Sequence, residues 1–270
     1  MLIEFQEKPY WVMGVVNITP DSFSDGGQFF SSHSAVAHAM SLIEQGADIL
    51  DLGGESTRPG AEPVSVDQEL ARVLPVLTAL RKHTDIPISI DTSQPLVMQA
   101  CLAAGASMIN DVRALQVLGA AEALVPYDQV PVCLMHMQGD PKTMQAKPCY
   151  ESVVDEVIAF FQQRIDQLLI ERTRILLDPG FGFGKTLEQN IALFKAIPRL
   201  ASLGYPLLIG VSRKTMIGQL TAQPQPQLRQ AGSVAAAVEA VRLGAKVVRV
   251  HDVRATIDAL TVTNALSALN

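Results

Sequence analysis

Cysteine is scarce in this sequence and cannot be fully paired. Cys101, Cys133 and Cys149 are scattered, and no two stand in a C-x-x-C spacing. An odd, sparse set excludes a disulfide framework and fits a reducing compartment, so the expected location is the cytoplasm. Charge is thin as well. Asp, Glu, Lys and Arg make up 18% of the chain, the net charge is −6, and no long basic run occurs. That balance excludes nucleic acid as the expected partner, and an anionic ligand would need a local basic site. Long apolar stretches are missing too. Nothing approaches the roughly 18 consecutive apolar residues of a membrane span. Met1 to Tyr10 carries Glu4 and Glu7 instead of the apolar core of a leader, so neither a membrane span nor a leader is expected.

Hydrophobic residues are abundant, at 48% of 270, enough for a large core. They gather in short continuous runs: Val12–Val16, Ile49–Leu52, Ile86–Ile90, Met108–Ile109, Pro131–Met135, Ile175–Leu177, Leu207–Ile209 and Val247–Val250. Continuous rather than alternating apolar runs mark strands buried on both faces. Amphipathic helices are expected between them, among them Ser34–Gln45, Val66–Arg81, Pro95–Ala103, Val153–Ile170 and Ser233–Leu243. Pro20, Pro59, Pro141 and Pro179 interrupt the chain after strands, whereas Gly46, Gly105, Gly204 and Gly244 precede strands, where a helix C-cap belongs. Gly-Ala recurs at 46, 105 and 244, an echo of the repeated βα unit. Eight strand–helix units fit a closed parallel barrel of about 250 residues. The expected fold is therefore an α/β (β/α)8 TIM barrel forming a single domain over residues 1–270, with a doubly wound open sheet as the alternative. Leu2–Lys8 is expected as a small hairpin or lid over the barrel bottom, and Ala222–Gln230 as a surface loop.

In such a barrel, chemistry sits at the C-terminal ends of the strands. Those ends read Asn17, Gly53–Gly60, Asp91-Thr92, Asn110-Asp111, Met135-His136, Asp178-Pro179-Gly180, Gly210 running into Ser212-Arg213-Lys214, and Arg249-Val250-His251-Asp252. A lone strand-end Asp is more often a helix N-cap than a catalyst. A complete polar ring around one cavity points to a site. Asp91, Asn110, Asp178 and Lys214 combine donors and acceptors, as a flat polar heterocycle requires. Arg249, His251 and Asn17 fall on adjacent strands and suit a phosphate group, with the Asn17 amide oxygen available to a metal. Asn17–Phe30 and Gly53–Ser65 are long polar loops of the kind that carries function.

Other motifs fail on spacing. Gly180–Thr186 resembles the tail of a P-loop, but Pro179 occupies the place of its first glycine. Lys185 also breaks a dinucleotide-binding G-x-G-x-x-G, and Lys214 breaks a nucleophile elbow at Gly210–Lys214. No zinc signature joins His33, His38, His83, His136 and His251, and the first three are read as surface residues.

The strings Met13–Gly27 and Asp51–Gly60 resemble the two signature segments of dihydropteroate synthases. Ile90–Thr92, Ile109–Asp111, Met135–Met137, Leu177–Lys185, Gly210–Lys214 and Arg249–Asp252 match as well, in the family's order, so the resemblance spans Val12 to about Asp252. Gln94 departs from it, standing where many relatives have Lys. The resemblance implies condensation of 6-hydroxymethyl-7,8-dihydropterin pyrophosphate with 4-aminobenzoate to dihydropteroate and pyrophosphate. It implies that Asp91, Asn110, Asp178 and Lys214 hold the pterin, with Met135, Phe183 and Gly210 lining its pocket. Asn17, Arg249 and His251 would hold the pyrophosphate, with Asn17 and Asp21 on Mg²⁺. Thr57, Arg58 and Pro59 of the second loop, with Phe23, Phe183, Ser212 and Lys214, would enclose 4-aminobenzoate and its sulfonamide mimics. Asp91, Lys214, Asn17, Arg249 and His251 are the implied catalytic set, and a homodimer packed through barrel helices is the implied assembly. A pterin-dependent methyltransferase and a silent pterin-binding paralogue are the alternatives.

Overall fold

The computed structural model describes residues 3–18, 27–56, 64–139, 144 and 148–267. Its strands are β1 (Trp11–Asn17), β2 (Ile49–Gly53), β3 (Ile88–Asp91), β4 (Met108–Asp111), β5 (Val132–Met135), β6 (Ile175–Asp178), β7 (Leu208–Ile209) and β8 (Val247–Val250). All paired strands are parallel, in the order β6-β5-β4-β3-β2-β1-β8-β7. A parallel bridge from Leu177 to Leu207 joins β6 to the approach of β7. That bridge closes the ring and decides for a barrel over an open sheet.

The helices wrap the outside: α1 (Gly27–Glu44), α2 (Val66–Leu80), α3 (Pro95–Ala103), α4 (Val153–Gln167), α5 (Leu187–Lys195), α6 (Ile197–Ala201), α7 (Thr215–Thr221), α8 (Gln230–Arg242) and α9 (Val253–Ser267). Local chemistry sets their limits. Ser65 and Gln68 form a reciprocal capping box at the start of α2, and Thr186 and Gln189 form another at α5. The Gly-Ala echo has one cause. Gly46, Gly105 and Gly244 each end a helix with a left-handed φ of 100°, 97° and 110°, which a side chain would oppose.

One unit differs from the expected repeat. Among the described residues between β4 and β5, only a 3-10 turn at Glu122–Leu124 stands where a helix belongs. Ala114 and Leu115 take positive φ there (52° and 58°), as does Gly119 (86°), and left-handed residues cannot continue a right-handed helix. Arg164 of α4 fills part of the gap, donating to the carbonyls of Ala114 and Leu115.

The core has two compartments. The larger lies mainly between the strands and the helices. The smaller fills the barrel floor, where Ile3, Phe5 and Trp11 pack on Met13, Ile49, Met108, Cys133, Leu176, Leu208 and Val247. The N-terminal segment thus covers the bottom as expected, but no hairpin forms among its described residues. Its local backbone bond is a turn from Glu7 N–H to the Glu4 carbonyl at 3.1 Å. Side chains hold it instead. Phe5 meets Trp11 edge-on at 5.8 Å, and Lys8 lies 4.9 Å above the Trp11 ring while pairing with Asp48. Phe5→Ala removes a buried ring from this floor and is expected to cost about 3 kcal/mol of stability, read as a lower midpoint in urea unfolding.

Candidate active site

The polar residues at the strand ends meet at the barrel's C-terminal mouth. Arg249, inside β8, reaches across to two carboxylates: its Nε donates to Asp51 at 2.6 Å and its Nη2 to Asp91 at 3.0 Å. Asn110 Nδ2 donates to the same Asp51 oxygen at 3.2 Å. Asp51, Asp91, Asn110 and Arg249 therefore form one network over four strands. Gly53 makes room for it. A Cβ there would stand 3.6 Å from Asp91 Cβ and 3.9 Å from Asn17 Oδ1, which places Asn17 in the same corner.

Burial shapes the charges. It lifts the Asp91 carboxyl to about 8, with Asp51 adding to the push and Arg249 opposing it. Burial also opposes the Arg249 charge, but Asp51 and Asp91 outweigh it and hold its guanidinium above the ordinary value. Asp178 is raised by burial and pulled down mainly by Lys214. Lys214 is lowered by burial to about 8, with Asp178 favouring its charge. Its ammonium donates to the Phe181 carbonyl at 2.6 Å and lies 4.7 Å over the Phe183 ring. A Cβ on Gly210 would stand 3.8 Å from Arg249 Cβ and 3.9 Å from Lys214 Nζ, so a side chain would project between these two cations. Met135 is buried at the end of β5 beside Asp178 at the end of β6, its partner in register.

Just beyond the neighbouring strands β7 and β8, Ser212 Oγ lies 3.0 Å from His251 Nδ1 and accepts from the His251 backbone N–H at 3.2 Å. Arg213 carries this turn with a φ of 59° and grips Asp252 with two bonds at 3.0 and 2.5 Å. Arg229 donates to the Arg213 carbonyl at 2.8 Å, which fixes the turn from below.

Of the residues expected at the site, Asn17, Asp91, Asn110, Met135, Asp178, Phe183, Gly210, Ser212, Lys214, Arg249 and His251 stand at this end of the barrel. Asp21, Phe23, Thr57, Arg58 and Pro59 lie outside the described residues. His33, His38 and His83 are exposed, as expected. Among the described residues, no group of three His, Cys, Asp or Glu side chains could hold a metal.

Sequence reasoning missed several partners. Asp51 sits within a run read as apolar, and a lone acid inside such a strand was the signal for it. Lys185 is buried behind the mouth, bonded to His136 Nδ1 at 3.0 Å. Glu69 is fully buried beneath Gly54, and burial lifts it to about 7 against a smaller opposing pull from the Thr92 side chain. Asp111 is the reverse case. It accepts from Ser93 Oγ and from the Arg113 and Leu115 N–H groups at 2.8 and 2.7 Å, so it braces a turn.

The model of the family "pterin binding enzyme" matches residues 13–251. A dihydropteroate synthase of Neisseria meningitidis serogroup C is 53% identical over 261 residues, covering 94% of this chain and 92% of the relative. The chain belongs to the dihydropteroate synthase family of pterin-binding enzymes. A solved dihydropteroate synthase of Xanthomonas albilineans with 4-aminobenzoic acid superposes with a TM-score of 0.91 at 52% identity, covering 96% of this chain and 93% of the other. Another structure of that organism's dihydropteroate synthase, in complex with 7,8-dihydropteroate, gives a TM-score of 0.88 at 48% identity, covering 98% and 96%. Family membership places the ring of strand-end residues among enzymes that handle pterins.

Arg249→Met leaves two buried carboxyls without their guanidinium and is expected to cost about 3 kcal/mol of stability at neutral pH. The sign of its pH dependence follows from Asp91. With its folded value raised from 3.8 to about 8, its contribution is fully present below 3.8 and is lost as pH rises through the folded value. Urea unfolding at pH 5 and at pH 8 should therefore show the smaller deficit at pH 5.

Proposed function

We infer that this chain catalyses the dihydropteroate synthase reaction, joining 6-hydroxymethyl-7,8-dihydropterin pyrophosphate to 4-aminobenzoate. The observation that carries this is one set of groups at one barrel mouth. Asp91, Asn110, Asp178 and Lys214 face the same space as Arg249, in a chain 52% identical to an enzyme solved with 4-aminobenzoic acid. Neither alternative of the sequence reading has a specific observation in its favour.

Asp178, Asn110 and Asp91 offer acceptors and an amide to the polar edges of a pterin, and Met135 supplies an apolar wall. Lys214 contributes a donor above Phe183. Arg249 and His251, with Asn17, take the pyrophosphate. Thr57, Arg58, Pro59 and Phe23 are proposed to enclose 4-aminobenzoate together with Phe183, Ser212 and Lys214. The Asn17 amide oxygen beside Gly53 is a hard donor of the type Mg²⁺ accepts alongside substrate phosphates, and Asp21 is the proposed second ligand. A bound Mg²⁺ supplies charge neutralisation on the pyrophosphate.

The chemistry follows from charge. The bond between the exocyclic methylene and the pyrophosphate oxygen breaks, and its electron pair leaves with the oxygen. Arg249 and His251 stabilise that developing negative charge. The positive charge left on the pterin develops near Asp91, whose ionised form burial makes costly in the empty site. A carboxylate in low dielectric gains more from a nearby cation than one in water, so the interaction strengthens as the bond breaks. The neutral arylamine nitrogen then bonds to the methylene and loses its proton afterwards, so no strong base is required.

The proposed setting is the cytoplasm, supported by three free cysteines. Among the described residues no helix is long and apolar enough to cross a membrane. The whole chain, 1–270, is proposed as one domain. A homodimer is proposed through α8 and α9, where Ala231, Val234, Ala235, Val238, Ala255 and Ala259 line an open apolar groove. Light scattering should give twice the chain mass, and a monomer at micromolar concentration would refute the pairing.

The reaction is tested by following dihydropteroate and pyrophosphate with each substrate present or withheld. Product is expected only with both substrates. In the same assay Asp91→Asn should slow turnover by about 100-fold while weakening pterin binding far less. Equal losses would refute charge stabilisation as its role.

A further inference from the structure

Gly180–Thr186 resembles a phosphate-binding loop but has another use. In a P-loop, backbone N–H groups converge on an anion. Here carbonyls converge on a cation. Lys185 Nζ donates to the Gly180 carbonyl at 2.9 Å and the Phe183 carbonyl at 3.0 Å, and it lies 3.0 Å from His136 Nδ1 and 3.4 Å from the His136 carbonyl. The residue is 3% exposed, so water does not serve these acceptors.

The two ends of the loop hold residues of the proposed reaction. Gly180 N–H donates to Asp178 Oδ1 at 2.8 Å. The Phe183 N–H returns to the Gly180 carbonyl at 3.1 Å, and its ring lies under Lys214. The loop is also pressed onto the chain beyond β5. A Cβ on Gly180 would fall 1.8 Å from the His136 carbonyl oxygen, and one on Gly184 2.6 Å from that of Gln138. Such close packing turns inward carbonyls that would otherwise lack donors.

We propose that Lys185 is a positioning residue for both substrates: its ammonium ties the Gly180–Gly184 turn to the end of β5 and thereby sets the placement of Asp178 and Phe183. This rests on the proposed reaction, in which Asp178 contacts the pterin and Phe183 the 4-aminobenzoate. Its charge contributes as well. Lys185 is among the cations that favour the ionised form of Asp178. Burial draws Lys185 itself down to about 7. A cation kept in so costly a place is explained by the acceptors it serves. His136 completes the arrangement. Burial and Lys185 hold its ring neutral, which leaves Nδ1 free to accept.

The test is steady-state kinetics of Lys185→Met beside the wild type, with thermal unfolding of each. Methionine keeps the length and the apolar stem but removes all three donors. Loss of charge-assisted bonds on this scale should raise KM for both substrates by about tenfold. A side chain that only held the fold would lower the active fraction, and so the apparent kcat, with both KM values unmoved. KM values within about twofold of wild type in the folded variant would overturn the proposal. Should the methionine variant not fold, Lys185→Gln carries the same test. An amide has two N–H donors where the ammonium has three, so a rise of about threefold in both KM values is expected, and none would overturn the role. A wild type that forms no dihydropteroate would instead remove the reaction reading, and this role with it.

Discussion

The guanidinium of Arg249 is the contact on which the mouth of this barrel depends. It stands between Asp51 and Asp91, and through Asp51 it reaches Asn110. Without it, two acids would share a small buried volume, and one would have to take up a proton or turn away. With it, β2, β3, β4 and β8 are linked by side chains where the backbone ladder is about to end. A buried ion pair is often neutral for stability when compared with an apolar replacement. Its use here is placement: it holds one carboxylate in a fixed position and leaves that carboxylate costly to ionise until a cation arrives.

The same division of labour appears elsewhere around the ring. Asp111 braces a turn and Asp252 holds Arg213, so neither carboxylate is free for a ligand. Lys185 supports a loop from behind while Lys214 faces the cavity over Phe183. Lys185 thus braces the turn that carries Phe181 and Phe183, the two residues that meet Lys214. Groups fixed by such direct partners let a site be both charged and rigid.

Much of this was legible in the sequence because it follows from periodicity. Runs such as Ile175–Leu177 and Leu207–Ile209 are apolar throughout, and only strands covered on both faces tolerate that. Strand-end residues such as Asp178 and Arg249 then follow from position. The companions were harder to find. Asp51 lies within the second run, where a lone acid signals a buried partner, but nothing local says that the partner is an arginine 198 positions away. Lys185 ends a glycine-rich string whose local pattern suggests a phosphate clamp, and only the approach of His136 from the next strand reveals the carbonyl nest. The missing fourth helix was hidden for another reason. Ala114 and Leu115 have high helix propensity, but the tertiary bond from Arg164 to the Ala114 carbonyl and the Leu115 N–H donated back to Asp111 accompany a left-handed turn there instead.

The barrel floor imposes an order of events on synthesis. Ile3, Phe5 and Trp11 emerge from the ribosome long before Leu208 and Val247, the residues they must cover, and β1 finds its second neighbour only in β8. Contacts of such wide sequence separation form late and slowly. An oily N-terminal segment and an unpaired edge of β1 therefore wait exposed for most of translation, the interval in which a nascent chain is most prone to aggregate or to need a chaperone. For this chain the vulnerable end during biogenesis lies opposite the end proposed for catalysis, and damage at the floor would be felt as poor yield of protein with its chemistry intact.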